Sequence, residues 1–287
     1  MSITIKLKRI IKMSKNYFYI YTSSFVLPMF IAFCASAATS ITTPVLGEIE
    51  FTGDIMPGDA EKIISVILEK KPFYNNDYLY PFQLSINSRG GDLNEAKKIA
   101  LFIKATHLRV NVLSQGICAS SCFYVFLAGL NRNASGLDSI KIDGSKNSQG
   151  AIGIHRLYYS KTKDGPIFAE RQEVMMEDAR EYLRLEKLPQ YIVDEMMSRP
   201  SNDIYWLKQR DIDAVGPYNP GLEEQLIAKC GYNRKIEANL TLTGKEFIRY
   251  TGPGGVGRCV SEYIFNTYNS LRETAFARMR QGWRPWR

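Results

Sequence analysis

The chain has 287 residues, 45% of them hydrophobic, 12% aromatic and 23% charged, which excludes a disordered, collagen-like or low-complexity protein and leaves core enough for one large domain or two modest ones. The formal charge of +8 sits at the two ends: Lys6, Lys8, Arg9, Lys12 and Lys15 open the chain, and five arginines against Glu273 alone close it from residue 272 onward. What remains carries 27 basic and 28 acidic residues, so no basic stripe tracks a phosphate backbone and no nucleic-acid partner is expected.

The first 37 residues read as an export signal. The five basic residues precede an uncharged stretch from Tyr17 to Ala37, which ends in Ala35-Ser36-Ala37 before Ala38. That small-x-small pattern is one a signal peptidase accepts. The alternative is an uncleaved inner-membrane anchor, since residues 17–37 are about long enough to span a bilayer. Either way the rest of the chain is expected in the periplasm or outside the cell.

From residue 45 short apolar strands alternate with amphipathic helices. Val45–Phe51 reads as a strand and Asp59–Lys71 as a helix with Ile63, Val66 and Ile67 on one face. Phe82–Asn87 is a second strand, stopped by the turn Ser88-Arg89-Gly90-Gly91. Asp92, with Glu95 three positions later, resembles a capping box, and Leu93, Ala96, Ile99, Ala100 and Ile103 carry the helical stripe that follows. Leu108–Leu113 is a third strand and Ala119–Leu130 a strongly apolar helix. Strands near Ile140 and over Ala151–Tyr158 come next, then charged helices over Ile167–Leu185 and Pro189–Ser198. Such alternation implies an α/β fold with parallel βαβ units, with ligands at the carboxyl ends of the strands. Residues 38–220 are the expected domain. Residues 221–287 show no βα alternation and read as a small appended region.

Four cysteines would remain after cleavage: Cys118, Cys122, Cys230 and Cys259. An exported chain permits disulfides, and four cysteines allow three pairings. Cys230 with Cys259 is the favoured pair, with Cys118–Cys122 a further candidate. Zinc is disfavoured because Cys118-x3-Cys122 lacks close Cys or His partners, and no metal or other cofactor is expected.

Chemistry concentrates in Gly116-Ile117-Cys118-Ala119-Ser120-Ser121-Cys122, which runs from a strand into a helix. A serine there sits at the positive end of a helix dipole, and the peptide N–H after it is free to bind an oxyanion. The same position suits a plain helix cap. The Gly90-Gly91 turn at the end of a neighbouring strand lets backbone approach a substrate. His155 is one of two histidines in the chain and lies near a strand end, where a neutral imidazole could take a proton from Ser120. His107 reads as a helix C-terminal cap.

The run FQLSINSRGGDL, then GICASSC, then IGIHR resembles the ClpP-type serine peptidases of the ClpP/crotonase fold, over about residues 45–217. It is closer still to an exported bacterial ClpP-like group with a C-A-S-x-C nucleophile loop. The resemblance implies a repeated ββα/βαβ spiral and endopeptidase chemistry on a polypeptide substrate through an acyl-enzyme, in a homo-oligomer. By position Ser120 matches the nucleophile, His155 the general base, and Gly91 and Ser121 the two oxyanion-hole N–H donors. The family's acid follows the histidine by about fifty residues, before an aromatic residue, where Asp203 stands. Two departures are Arg89 in place of a usual proline and the 35 residues from Ser120 to His155, about ten more than in the cytosolic enzymes. An exported protein has no ATP supply, so the cytosolic unfoldase is not an expected partner. Other readings are a Ser–Lys enzyme of the signal-peptide-peptidase type with Lys161 or Lys163 as base, and an inactive scaffold on the same fold. A crotonase acting on acyl-CoA is the least expected, since CoA is a cytoplasmic cofactor.

Overall fold

In the computed structural model of the protein, which describes residues 39–43, 47–69, 82–113, 115–134, 151–158, 166–200, 202–234, 250 and 252–287, two sheets carry the architecture. The expected export signal, the expected strand near Ile140, Lys161 and Lys163 lie outside the described residues. The first sheet has the order β1 (Ser40–Thr42), β2 (Glu48–Thr52), β3 (Gln83–Asn87), β4 (Arg109–Val112), β6 (Arg132–Asn133); β1 runs antiparallel to β2 and every other pair is parallel. The second sheet has the order β5 (Ile117–Ala119), β7 (Ala151–Ile154), β8 (Tyr205–Trp206), with β5 and β7 parallel and β7 and β8 antiparallel. The protein is thus mixed α/β with parallel ladders in both sheets.

Residue period decides each element. In β2, Ile49 and Phe51 point into the core and Glu48, Glu50 and Thr52 do not. Helix α1 (Asp59–Glu69) buries Ile63, Ile64 and Ile67, and helix α2 (Leu93–Thr106) buries Ala96, Ile99, Ala100 and Ile103. Both pack into one core with the strands of the first sheet. Asp92 caps α2, its Oδ1 accepting from the Glu95 N–H at 2.8 Å. Glu95, however, does not reach back to close the box. Its buried carboxylate crosses to α1, accepting from the Ala60 N–H at 2.8 Å and from Lys98 Nζ at 3.0 Å.

Burial by itself would raise the Glu95 pKa, but the bonds from Ala60, Lys98 and Gly58 hold it below the ordinary glutamate value. A carboxylate with a lowered folded pKa stabilises the protein above its unfolded pKa and stops doing so as pH falls through the folded one. Urea denaturation should therefore show a wide gap between the wild type and Glu95→Gln at pH 6, closing below about pH 4.

The apolar run Ala119–Leu130, expected to be all helix, divides. Cys118 and Ala119 pair with Ile152 and Gly153 of β7, and helix α3 occupies only Cys122–Leu127. A short, uniformly apolar run has no period to separate strand from helix, and the ladder to β7 decides it. Beyond lie α4 (Pro166–Leu185), α5 (Gln190–Ser198), α6 (Gln209–Val215), α7 (Pro220–Cys230) and α8 (Val256–Arg280). Among the described residues no helix is long and apolar enough to cross a membrane.

Residues 221–287, without βα alternation in sequence, are largely helical where described. Val260, Ile264 and Tyr268 of α8 pack with Leu222 and Leu226 of α7, while Phe276 and Met279 enter the main core. Arg272 interrupts this four-residue stripe, yet it is buried. Its guanidinium donates to the Thr106 and His107 carbonyls at 3.2 and 3.1 Å, at the negative end of α2. The Cys230–Cys259 disulfide forms as expected and joins the end of α7 to the first turn of α8 across 29 positions. In the chain-entropy account, opening that loop by Cys230→Ser with Cys259→Ser should cost about 3 to 4 kcal/mol. Urea unfolding with and without the pair measures it.

Candidate active site

Three parallel strands end at one place. β3 runs into Gly90 and Gly91, β5 into Ser120, and β7 into His155. Parallel bridges Ile55↔Gly91 and Ser88↔Cys118 tie the end of β3 to both neighbours. The Ser120 N–H donates to the Gly153 carbonyl at 3.0 Å, so the serine is fixed to the strand that carries the histidine. Ser120, Ser121, Gly90, Gly91 and His155 all line one cleft of about 1250 Å³. The sequence expectation of a site at strand carboxyl ends agrees with this placement.

The serine's backbone is the unusual feature. Ser120 has φ 57°, in the left-handed region, which costs an L-residue about 1–2 kcal/mol. It lies between a strand and a helix, not at a helix C-terminus where that conformation is common. Glycine makes room for it. A Cβ on Gly90, whose φ is 98°, would stand 2.8 Å from the Ser120 Cβ and 2.6 Å from the Ala119 carbonyl oxygen. Cys118 and Cys122 are joined in a second disulfide that brackets Ser120. For so short a loop the chain-entropy stabilisation is about 2 kcal/mol, comparable to the cost of the serine's conformation.

Around the serine the backbone supplies donors. The flanking ladder uses the Ile55 N–H to the Gly90 carbonyl at 2.8 Å and the Asp92 N–H to the Ile55 carbonyl at 2.8 Å. The N–H groups of Gly91 and Ser121 donate to no acceptor among the described residues. The Ser121 Oγ donates to the Gly91 carbonyl at 3.2 Å, holding those two peptides together. Asn87 and Ser88 set the turn: Asn87 Oδ1 accepts from the Ile117 N–H at 3.0 Å, and Ser88 Oγ from the Gly90 N–H at 3.1 Å. Ser88 was legible as part of the turn, whereas the Asn87 contact joins two strands and has no local sequence signal.

His155 is buried, and its Nδ1 lies 2.8 Å from the Arg156 carbonyl oxygen. A carbonyl only accepts, so that contact places a proton on Nδ1 and makes Nε2 the nitrogen that could serve as the base. A backbone carbonyl carries no residue identity, so sequence reading had no means of finding this partner. His107 forms the left-handed cap of α2, with its ring 4.9 Å from Tyr268. Burial, then the nearby Arg272, push its pKa down.

Asp203 is not joined to His155. Its carboxylate accepts from Arg199 Nη1 at 2.8 Å, and Arg199 also binds Glu195. Of the carboxylates that follow Asp203 in sequence, Asp211 is buried and accepts from the Tyr191 and Tyr205 hydroxyls at 3.1 and 3.0 Å, while Asp213 takes the Gln209 amide. Among the described residues no group of three or more His, Cys, Asp or Glu could hold a metal ion.

Apolar side chains, Met56, Leu93, Val174 and Met175, share the cleft walls with charged residues including Arg89, Asp92 and Arg171. The arrangement offers a serine hydroxyl, an imidazole and a pair of bare N–H groups along one trough. No protein-family model matches the chain, and no curated protein does. Among solved structures, ClpP1 from Listeria monocytogenes is similar at 18% identity and a TM-score of 0.42, over 60% of this chain and 88% of that one; a point mutant of the same protein gives 19%, 0.43, 60% and 89%.

Proposed function

We propose that the protein is a serine hydrolase of the ClpP/crotonase type, acting as an ATP-independent endopeptidase. The observation that carries this reading is the left-handed Ser120 in the same cleft as two unpartnered backbone N–H groups. The N-cap of α3 is the next residue, Ser121, in an ordinary right-handed conformation, so the left-handed backbone of Ser120 is not that of the helix cap. The Ser120 Oγ attacks a carbonyl carbon, His155 Nε2 takes the hydroxyl proton, and the N–H groups of Gly91 and Ser121 receive the oxyanion. His155 then returns the proton to the leaving amine, and water releases the acyl group by the reverse route. The Arg156 carbonyl holds the imidazole tautomer in place of the carboxylate usual in such sites. Asp203 would complete a triad only by exchanging Arg199 for His155.

A polypeptide substrate suits a cleft larger than the 300–1,000 Å³ common for small ligands and walled by both apolar and charged side chains. Two disulfides are in keeping with an oxidising compartment, hence with export. A homo-oligomer belongs to this reading only through the sequence resemblance. The experiment is treatment of the purified protein with an alkyl fluorophosphonate followed by peptide mapping. The expected result is a single adduct on Ser120 that is absent from Ser120→Ala. A folded wild type that takes no adduct would favour the scaffold reading.

A further inference from the structure

The two disulfides do different things. Cys230–Cys259 joins two helices across 29 positions, whereas Cys118–Cys122 closes four. Both ends of the shorter loop are already fixed. Cys118 is held in the β5–β7 ladder, and Cys122 begins α3, whose six residues are all buried. A cross-link there brings no distant chain together. What it leaves less free is the path Ala119-Ser120-Ser121, which contains the left-handed serine and one of the two bare N–H groups.

We propose that Cys118 and Cys122 are positioning residues whose bond holds Ser120 in its left-handed conformation, so that acylation of Ser120 depends on it. The inference rests on the serine-hydrolase reading. Non-glycine residues avoid positive φ because Cβ crowds the following carbonyl, so a loop released from the bond relaxes toward negative φ. Relaxation turns the Ser120 Oγ away from the His155 side of the cleft and swings the Ser121 N–H out of line with that of Gly91. Both sulfurs belong to residues fully buried in the core, and neither residue lines the cleft, so the bond acts through the backbone and touches no substrate. Gly90 permits that conformation from the other side, its bare Cα leaving room for the Ser120 Cβ, but room alone does not hold a dihedral.

The test is saturation kinetics of fluorophosphonate inactivation, which separates binding of the probe (KI) from its reaction with Ser120 (kinact). Cys118→Ala with Cys122→Ala is compared with the wild type and with Cys230→Ala plus Cys259→Ala, all checked by circular dichroism below their unfolding transitions. The expected result is a fall in kinact of about 10²-fold at unchanged KI, the scale of an ångström-sized misplacement of a reacting group. The Cys230/Cys259 pair should react like the wild type. A folded Cys118/Cys122 variant with wild-type kinact overturns the proposal. Should the alanine pair lose its fold, Cys118→Val with Cys122→Ala refills the space and is read in the same way; if that also unfolds, the bond serves the fold and the proposal is overturned. A wild type that does not label at all instead refutes the hydrolase reading beneath it.

Discussion

Alanine in place of His155 should slow acylation of Ser120 by about 10²- to 10⁴-fold, the usual contribution of a positioned general base. The serine hydroxyl is a weak nucleophile until its proton has somewhere to go. His107, the other histidine in the chain, is committed to the cap of α2 against Tyr268 and does not substitute for His155. Asp203→Asn should leave the rate within the same order of magnitude, because the imidazole proton is held by the Arg156 carbonyl and the Asp203 carboxylate by Arg199. Second-order rate constants for fluorophosphonate labelling of the three proteins measure both effects. A loss in Asp203→Asn as large as that in His155→Ala would mean that the carboxylate leaves Arg199 for the histidine in the reactive state.

The largest loss of stability is expected at Glu186. Arg132 is buried, and its guanidinium donates to Glu186 Oε2 at 2.5 Å and to the Leu127 carbonyl at 2.6 Å. Glu186 is buried too and binds Lys104 Nζ at 2.6 Å. Burial pulls the Arg132 pKa down and Glu186 counters it, so the charge depends on its partner. Glu186→Gln leaves that guanidinium uncompensated and should cost about 3–5 kcal/mol in urea unfolding. Removing both charges with Arg132→Leu and Glu186→Leu should cost much less than the sum of the single changes, since no buried ion remains without a partner. The pair also matters to the site, because Leu127 ends the helix that Ser120 leads into. An additive double variant would contradict this account.

What the sequence made legible was local chemistry. Gly90, Gly91, Ser120, Ser121 and His155 each stand in a short recognisable run, and the structure gathers all five in one cleft. The β2, β3 and β4 strands and helices α1 and α2 were readable from their periods. Most of the parts that escaped depend on partners far along the chain. Strands of two or three residues, such as β5 and β8, exist because β7 pairs with both of them. Glu95 reads as a capping-box residue until α1 offers it the Ala60 N–H. Arg272 breaks the α8 stripe in sequence and completes it in space by taking the α2 carbonyls. Arg132 gave no signal, since a lone arginine after a helix is ordinarily solvated. Asp203 was placed by position in a resembling family, and its Arg199 contact depends on Arg199 folding back four residues away.

The arrangement of nucleophile, base and donors is tested most directly by a crystal structure of the protein after reaction with an aryl phosphonate. The account predicts phosphorus bonded to Ser120 Oγ and the phosphoryl oxygen about 2.7–3.1 Å from the N–H groups of both Gly91 and Ser121, with His155 Nε2 facing the departed proton's site. A phosphoryl oxygen turned to solvent, or an adduct on another residue, would contradict it.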